Sequence, residues 1–453
     1  MREILEQAAS AATGYVEVRL RRRWSTAVVF RKQRLEVATE YHAFGGVARV
    51  LLPGRGWGAV AFTDPERAVA AVRRAGELAL ETRPERPIAL APIPIRQLDN
   101  ATDLGDDPRL VPLAEKRGLL EQWTADLLAA DRRVIDSRTS YGDTVIETWL
   151  ATSEGVWLHD LQTEASVAAL AMASEGGATE RAMDSFAARG GFRQIGGGAA
   201  LFPRTATRAV ARLDAPPPAP GRYPIVFDQR ASGAMVLQAI VNLCRAPARG
   251  LERELLPLGT RVGPEGLSVG DDPTTPGLRT SLVLDDEGTP VSHQMVVQNG
   301  VVVGHLHSRE TAARDGGVPT GHALAPSLRS VPIARPTNPY LARGQGDVGA
   351  LIAEVPLGIY VSDLGGLSID GRRITLTPAA STMIRHGSLA EPVNCPPISA
   401  DLFSLFGRLD RVGADFSWDT GATSLHEQGP LRPITTGAPS TRFIDLEVGA
   451  LYS

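Results

Sequence analysis

Apolar positions first recur at helical spacing. In residues 1–13, Ile4, Leu5 and Ala8 share one face, which predicts a short helix. From Tyr15 the pattern changes to alternation and Val-rich runs, near 15–23, 26–31, 34–39, 44–52 and 56–62. Gly45-Gly46 and Pro53-Gly54 punctuate them, which predicts strands joined by tight turns. Thr63-Asp64-Pro65-Glu66 then combines a capping residue, a first-turn proline and a capping-box glutamate, and so starts a helix that runs to about Thr82. A Pro-rich connector follows, and a second helix is predicted over about 112–131. Residues 133–141, 144–152 and 155–173 read as an antiparallel meander with turns at Tyr141-Gly142-Asp143 and Ser153-Glu154-Gly155; 198–213 reads as a helix. Asp214–Gly221 holds four prolines in eight residues, so neither a helix nor a central strand continues through it. The expected domains are 1–213 and 224–453, joined by a linker at 214–223.

The second half begins with a strand at Pro224–Asp228, a helix over 229–245 and loops to about 280. A hairpin of 281–284 with 295–297 is expected next, then strands at 301–307, 350–355, 358–362, 373–377 and 381–386. Leu402, Leu405, Phe406 and Leu409 form an apolar stripe that predicts a helix over 398–411. The whole reads as α+β: an N-terminal α/β domain with an antiparallel sheet and helices, and a C-terminal domain that is mainly antiparallel β and barrel-like.

The 453 residues carry a net charge of -4, which argues against a protein whose task is to neutralise nucleic-acid phosphates. The only lysines are Lys32, read as a hairpin tip, and Lys116, read as a helix surface. Neither sits in a Gly-Lys-Ser/Thr loop, so P-loop and Schiff-base chemistry are excluded. Cys244 and Cys395 are too isolated for a disulfide framework or a zinc ribbon. No basic segment followed by an apolar one opens the chain, and its longest mostly apolar run, 165–173, is short of the ~20 residues that span a bilayer. A cytoplasmic protein without membrane contact is expected.

Gly266-Leu-Ser-Val-Gly270 has the letters of a nucleophile elbow, yet 271–277 cannot form the helix that must follow the serine. No two of the eight histidines are four or five apart, so metal-ligand spacing on one helix face is absent. His305 and His307 are two apart on a predicted strand and share a face; they could begin a zinc site, but no third ligand is identifiable. Asp271-Asp272 and Asp285-Asp286-Glu287-Gly288 offer hard-cation ligands, although the latter reads better as a hairpin turn. Arg21-Arg22-Arg23 reads as a solvated strand end.

Several second-half segments occur in a familiar order. They are Leu284–Pro290 (Leu-Asp-Asp-Glu-Gly-Thr-Pro), Gly304–Ala313 (Gly-His-Leu-His-Ser-Arg-Glu-Thr-Ala-Ala) and Arg335–Leu341 (Arg-Pro-Thr-Asn-Pro-Tyr-Leu). Asp363-Leu-Gly-Gly366, the segment Ile398–Leu409 with Val412–Asp415, and Gly437–Phe443 complete the set. Over 224–450 the chain resembles the TldD/PmbA family, also called TldD/TldE or modulator of DNA gyrase proteins. The resemblance implies a two-domain protein that pairs with a homologue. In the family, the TldD-type subunit carries a zinc-binding His-Glu-x-x-x-His helix and a late cysteine ligand, and the TldE/PmbA-type subunit lacks them. The pair degrades or trims peptides, including leader peptides.

Here the corresponding helix, Ser232–Asn242, contains no His, Glu, Asp or Cys, and Ser424–His426, where the late ligand would fall, has no cysteine. The expectation is therefore a non-catalytic TldE/PmbA-type subunit, without a metal or catalytic residue of its own. Zinc is expected in a TldD-type partner, peptide is the substrate, and nucleic acid and membrane are not partners. His305, His307, Arg335 and Asn338 are the substrate-binding candidates. The competing expectations are a stand-alone peptide- or protein-binding module and a divergent metallohydrolase using His305, His307 and an acidic residue.

Overall fold

The computed structural model describes residues 1–100, 106–247, 255–421 and 434–449. Helix α1 (Arg2–Ala9) leads into β1 (Tyr15–Arg31), β2 (Arg34–Leu51), β3 (Trp57–Phe62), α2 (Ala68–Glu81) and the short β4 (Gln97–Asn100). After α3 (Leu113–Ala129) come β5 (Val134–Thr152), β6 (Trp157–Glu175), β7 (Ala178–Arg189) and α4 (Leu201–Asp214). These strands form one sheet in the order β3-β2-β1-β5-β6, with β4 and β7 both against β6. Every pair is antiparallel except β4 with β6.

The breaks expected near residue 24 and at Tyr141-Gly142-Asp143 do not occur. β1 pairs with β5 without a shift from Glu17–Thr152 to Arg31–Arg138, so Gly142 sits mid-strand opposite Ala27. Strand β7 was not legible in the sequence.

Alternation along β1 turns its even-numbered side chains toward the helices, and different helices cover the two ends of that face. Val16, Val18 and Leu20 pack under α1 and α2, and Val28 and Phe30 pack under α3 and α4. Helix α2 lies so close to β3 that a Cβ on Gly58 would stand 1.9 Å from the Ala75 carbonyl oxygen, which requires glycine there. Lys116 is no surface residue. Helix α3 turns it inward, and its Nζ lies 2.6 Å from Asp143 and 2.9 Å from the Thr26 hydroxyl.

The second half opens with β8 (Gly221–Phe227), α5 (Gln229–Ala239), β9 (Val269–Asp271), β10 (Gln294–Gln298), β11 (Val301–Val302) and α6 (Arg309–Asp315). β12 (Ala323–Leu324), β13 (Ile333–Ala334), β14 (Pro339–Leu341) and α7 (Val348–Ala353) follow. β15 (Leu357–Asp370), β16 (Arg373–Arg385), β17 (Ser388–Val393), β18 (Ile398–Asp401), β19 (Leu409–Val412), β20 (Ser417–Trp418), β21 (Gly437–Ala438) and β22 (Thr441–Val448) complete it. Strands β15, β8, β22, β18 and β16 close on themselves into a barrel-like sheet, because β15 also pairs with β16. A second sheet, β11-β10-β9-β14-β21-β20, lies beside it. The protein is therefore α+β, with a mainly antiparallel, barrel-like second half.

Several second-half expectations are corrected. Residues 398–411 are not a helix but β18, a 3-10 turn at Leu405–Arg408 and β19. Leu402, Leu405, Phe406 and Leu409 still enter the core, since a tight turn between strands also buries residues three or four apart. Residues 350–355 fall largely in α7, whose N-cap Asp347 accepts the Ala350 N–H at 2.9 Å. The hairpin of 281–284 with 295–297 does not form. β10 pairs with β9 and β11, and Leu284 only bridges Pro290. The strand expected at 301–307 is confined to 301–302, and helix α6 was not foreseen.

Two sets of ion pairs fasten the halves together. Arg21, mid-strand and buried rather than solvated, hydrogen-bonds Asp286, and Arg19 stands 3.9 Å from the same carboxylate. Arg49 bridges Glu17 and Glu287, at 2.8 Å from each. The turn carrying these acids is braced by Asp285, which accepts the N–H groups of Glu287 and Thr289 at 2.9 Å and of Ala323 at 3.0 Å. On the other side, Arg204 and Arg208 of α4 and Arg230 of α5 converge on Asp184, and Arg208 and Arg230 also reach Asp363.

Removing one partner from a buried ion pair leaves an uncompensated charge. Arg49→Met strands Glu17 and Glu287 side by side, so urea denaturation should show a loss of about 3–5 kcal/mol. Adding Glu287→Gln should recover part of it; an unchanged midpoint in the single variant would show that this docking carries no stability.

Candidate functional site

Helix α5 stands at the position the family resemblance gives to a metal-binding helix. It starts at Asp228, whose carboxylate accepts the Ala231 N–H at 2.8 Å. Burial pushes this carboxyl up to about 7; Asp363 and Asp419 add to the rise, while the Ala231 N–H and Arg230 oppose it. The helix packs against β14, β15 and β21. Ala231, Ser232, Gly233, Met235, Val236, Leu237 and Ala239 are buried. The Ser232 hydroxyl meets that of Thr441 at 2.7 Å. At Gly233 a Cβ would stand 2.9 Å from Thr436 Oγ1, so α5 has no room for a larger side chain on that face. A 3-10 turn, Val241–Cys244, follows; burial alone pushes the Cys244 thiol up to about 12, which keeps it protonated and unreactive.

A zinc ion does not fit these residues. A catalytic zinc requires three protein ligands and an open position. α5 supplies aliphatic groups, two side-chain amides, the Arg230 guanidinium, the Met235 thioether and one hydroxyl, and among the described residues no three His, Cys, Asp or Glu side chains lie close enough to hold a metal ion. Ser424–His426 lies outside the described residues.

Three of the four substrate-binding candidates, His307, Arg335 and Asn338, are linked through a buried polar chain, and His305 stands beside it. His305 is buried with Nε2 2.8 Å from the Leu256 carbonyl oxygen. The ring of His307 is 6.1 Å away, half-buried, with Nδ1 3.2 Å from Thr311 Oγ1. The His307 N–H donates to Thr320 Oγ1 at 2.9 Å, and His322 Nδ1 lies 3.0 Å from the same oxygen. His322 Nε2 in turn lies 3.3 Å from Asp271 Oδ1. Asp271 accepts the N–H groups of Thr337 at 2.9 Å and Asn338 at 3.0 Å, together with the Thr337 hydroxyl.

Arg335 joins through its N–H, 2.9 Å from the His322 carbonyl, and the Asn338 amide donates to the carbonyls of Asp272 at 2.9 Å and Thr280 at 3.3 Å. Arg335, Asn338, His322 and Asp271 are enclosed, and His307 is the member that reaches toward solvent. Asp271, Thr320 and His322 are the connecting residues; the sequence reading offered Asp271 only as a hard-cation ligand and left the other two aside. Nothing in their spacing marks them, since 51 residues separate His322 from Asp271.

Two surfaces beside this framework remain uncovered. Beyond Val361, β15 pairs with β16 only, and register shifts at Asp363 and Leu364 turn Gly365-Gly366 outward along an open edge. On the first-half sheet, the face opposite the helices carries small and apolar side chains, among them Ala27, Ala168, Leu170 and Met172; none is fully buried, and Tyr41 and Met183 are well exposed.

The sequence profile of the PmbA/TldA metallopeptidase C-terminal domain matches residues 220–450. Those of the central domain and domain 1 match 106–213 and 16–79. The chain belongs to the PmbA/TldD metallopeptidase family. A metalloprotease of Synechocystis is 32% identical over 448 residues, which is 96% of this chain and 94% of that protein. A metalloprotease of Methanothermobacter thermautotrophicus is 29% identical, covering 96% and 95%. Among solved structures, a Thermotoga maritima protein described as a modulator of a DNA gyrase superposes with a TM-score of 0.78 at 20% identity, over 99% of both chains. TldE from Thermococcus kodakarensis superposes with a TM-score of 0.77 at 15% identity, over 99% of this chain and 100% of its own. At these identities the structural likeness speaks for the shared fold. The profiles for domain 1 and the central domain meet on a single sheet here, since β1 of the first pairs along its length with β5 of the second.

His307 gives this site a signature in pH. Burial pushes it down to about 4, with His305, Arg314 and His322 adding to the fall and Asp315 opposing it. The unfolded chain therefore binds a proton more readily than the folded one between about 6.5 and about 4. The contribution is fully present above about 6.5 and is lost as the pH falls through that window. Denaturation at stepped pH should show the decline, and His307→Gln should flatten it; an equal slope in both proteins would place the titration elsewhere. Asp271→Ala orphans its buried donors and should cost about 3 kcal/mol in the same assay.

Proposed function

We propose that this chain is the non-catalytic, TldE/PmbA-type subunit of a heteromeric zinc peptidase. It pairs with a TldD-type homologue and forms one wall of a shared peptide-binding cavity. The single observation that carries the reading is the makeup of α5: the helix that would present zinc ligands is filled with Ala, Ser, Gly, Met, Val and Leu and packed too tightly to take them. Family membership brings the metallopeptidase reaction into view, and the makeup of this helix supports a binding rather than a cutting role for the chain.

The chain's own residues would hold the substrate extended. An open sheet edge binds a peptide by main-chain hydrogen bonds, which read no particular sequence. The outer part of β15 offers such an edge, and at Gly366 a Cβ would meet nothing nearer than 4.0 Å, so the approach is clear. His307 is neutral at pH 7 and partly accessible, so it can accept or donate one hydrogen bond to a substrate amide without adding charge. The uncovered face of the first-half sheet would close the cavity with small side chains. Zinc, held by the partner, would supply the Lewis acid that activates water and polarises the scissile carbonyl. Among the described residues no helix is long and apolar enough to cross a membrane, and the proposed setting is the cytoplasm.

Mixing decides the matter. The purified chain should show no chelator-sensitive peptide cleavage alone, should bind a His-Glu-x-x-x-His homologue, and should raise its rate on unstructured peptides. Chelator-sensitive cleavage by this chain alone, or no gain on mixing, would overturn the assignment. In the reconstituted pair, Gly366→Trp puts a bulky side chain where the approach to the edge is clear and should raise KM about tenfold with kcat little changed; an unaltered KM would remove β15 from the binding surface.

A further inference from the structure

Strand β3 covers β2 only from Gly46 to Leu51. From Arg34 to Gly45 the outer edge of β2 has no strand partner, so alternate residues turn N–H and C=O groups outward. Where β3 ends, this edge borders a cavity of about 400 Å³ lined by Arg22, Trp24, His42, Ala43, Phe44 and Pro65. Its size suits one or two residues of a peptide.

The wall of the cavity is aromatic and its head is cationic. The guanidinium of Arg22 is wedged among three rings, 5.4 Å from Trp24, 6.0 Å from Phe44 and 5.5 Å from Trp149. Its side chain remains 46% exposed, and it makes no hydrogen bond with the described residues. The nearest carboxylate, Glu147, is 3.9 Å away, and that group is held by His159 at 3.0 Å. Arg109 flanks Trp24 at 4.7 Å but is committed to Asp107. Arg22 is thus oriented by the rings while its donors stay open, which is an arrangement suited to an anion brought in along an apolar wall.

We propose that this pocket captures the free C-terminus of an extended peptide whose last side chain is aromatic or large and apolar. The edge of β2 pairs with the peptide main chain, Trp24 and Phe44 receive the last side chain, and Arg22 binds the terminal carboxylate. The site lies on the first-half sheet, away from α5 and β15, and needs no peptidase partner to fill.

Fluorescence anisotropy with the full chain alone tests it. A labelled hexapeptide ending in a free phenylalanine carboxylate should bind saturably. Its C-terminal amide should bind at least about tenfold more weakly, as expected for loss of a charge-assisted pair. Arg22→Gln, with its melting curve checked, should make acid and amide bind alike. N-acetylphenylalanine should bind more weakly than the hexapeptide, because it lacks the paired main chain. Equal binding of acid and amide by the unaltered protein, or no binding at all, would overturn the proposal. N-acetylphenylalanine binding as tightly as the hexapeptide would likewise overturn it, by pointing to a pocket for free aromatic acids.

Discussion

The structure depends on a buried charge arrangement between a strand pair and a turn far away in sequence. Glu17, Arg19, Arg21 and Arg49 occupy alternate positions on β1 and β2, facing away from the helices, and meet Asp286 and Glu287. Because the side-chain period of a strand is two, the same strands can bury Val16, Val18 and Leu20 under helices and still present charges on the other face. No helix covers that end of the face; the second half of the chain does. Desolvated charges tolerate little misplacement, so this contact fixes how the two halves sit. It also accounts for an acidic turn that would otherwise be an ordinary hairpin. The turn is held by backbone N–H groups donated to Asp285, and Asp286 and Glu287 pair with Arg21 and Arg49.

With the halves fixed, α5 lies between the barrel and the second sheet as a packing element. The buried positions of this helix are taken by groups that pack, and its N-terminus by one that caps. Met235, Val236 and Ala239 fill the core, Ser232 bonds Thr441, and Asp228 caps the first turn. What remains at the surface is an open edge on β15, a half-buried histidine, and a sheet face of small residues, the features the proposed function uses.

Much of the fold was legible because alternation and capping are local. The first-half strands, α2 with its Asp64 turn, α3 and the start of the barrel follow from periods of two and 3.6 and from turn residues. The failures were non-local. Arg21 and Lys116 read as solvated because their partners, Asp286 and Asp143, are 265 and 27 residues away, and no spacing rule reaches that far. Arg49 and Glu287 are 238 residues apart. The stripe at 402–409 satisfied helical spacing yet belongs to a turn between strands that pair with β16 and β22. At the site, the absence of ligands on α5 was visible in the letters. The chain from His307 through Thr320 and His322 to Asp271 was not, since each member is an unremarkable residue in a loop or a short strand.

The central claim is that the zinc of the active complex belongs to the partner. Metal analysis of this chain and of a TldD-type homologue, each purified alone and then as a complex, tests it most directly. The account predicts one zinc per pair, retained by the homologue on separation and absent from this chain. One tightly held zinc on this chain by itself would contradict it.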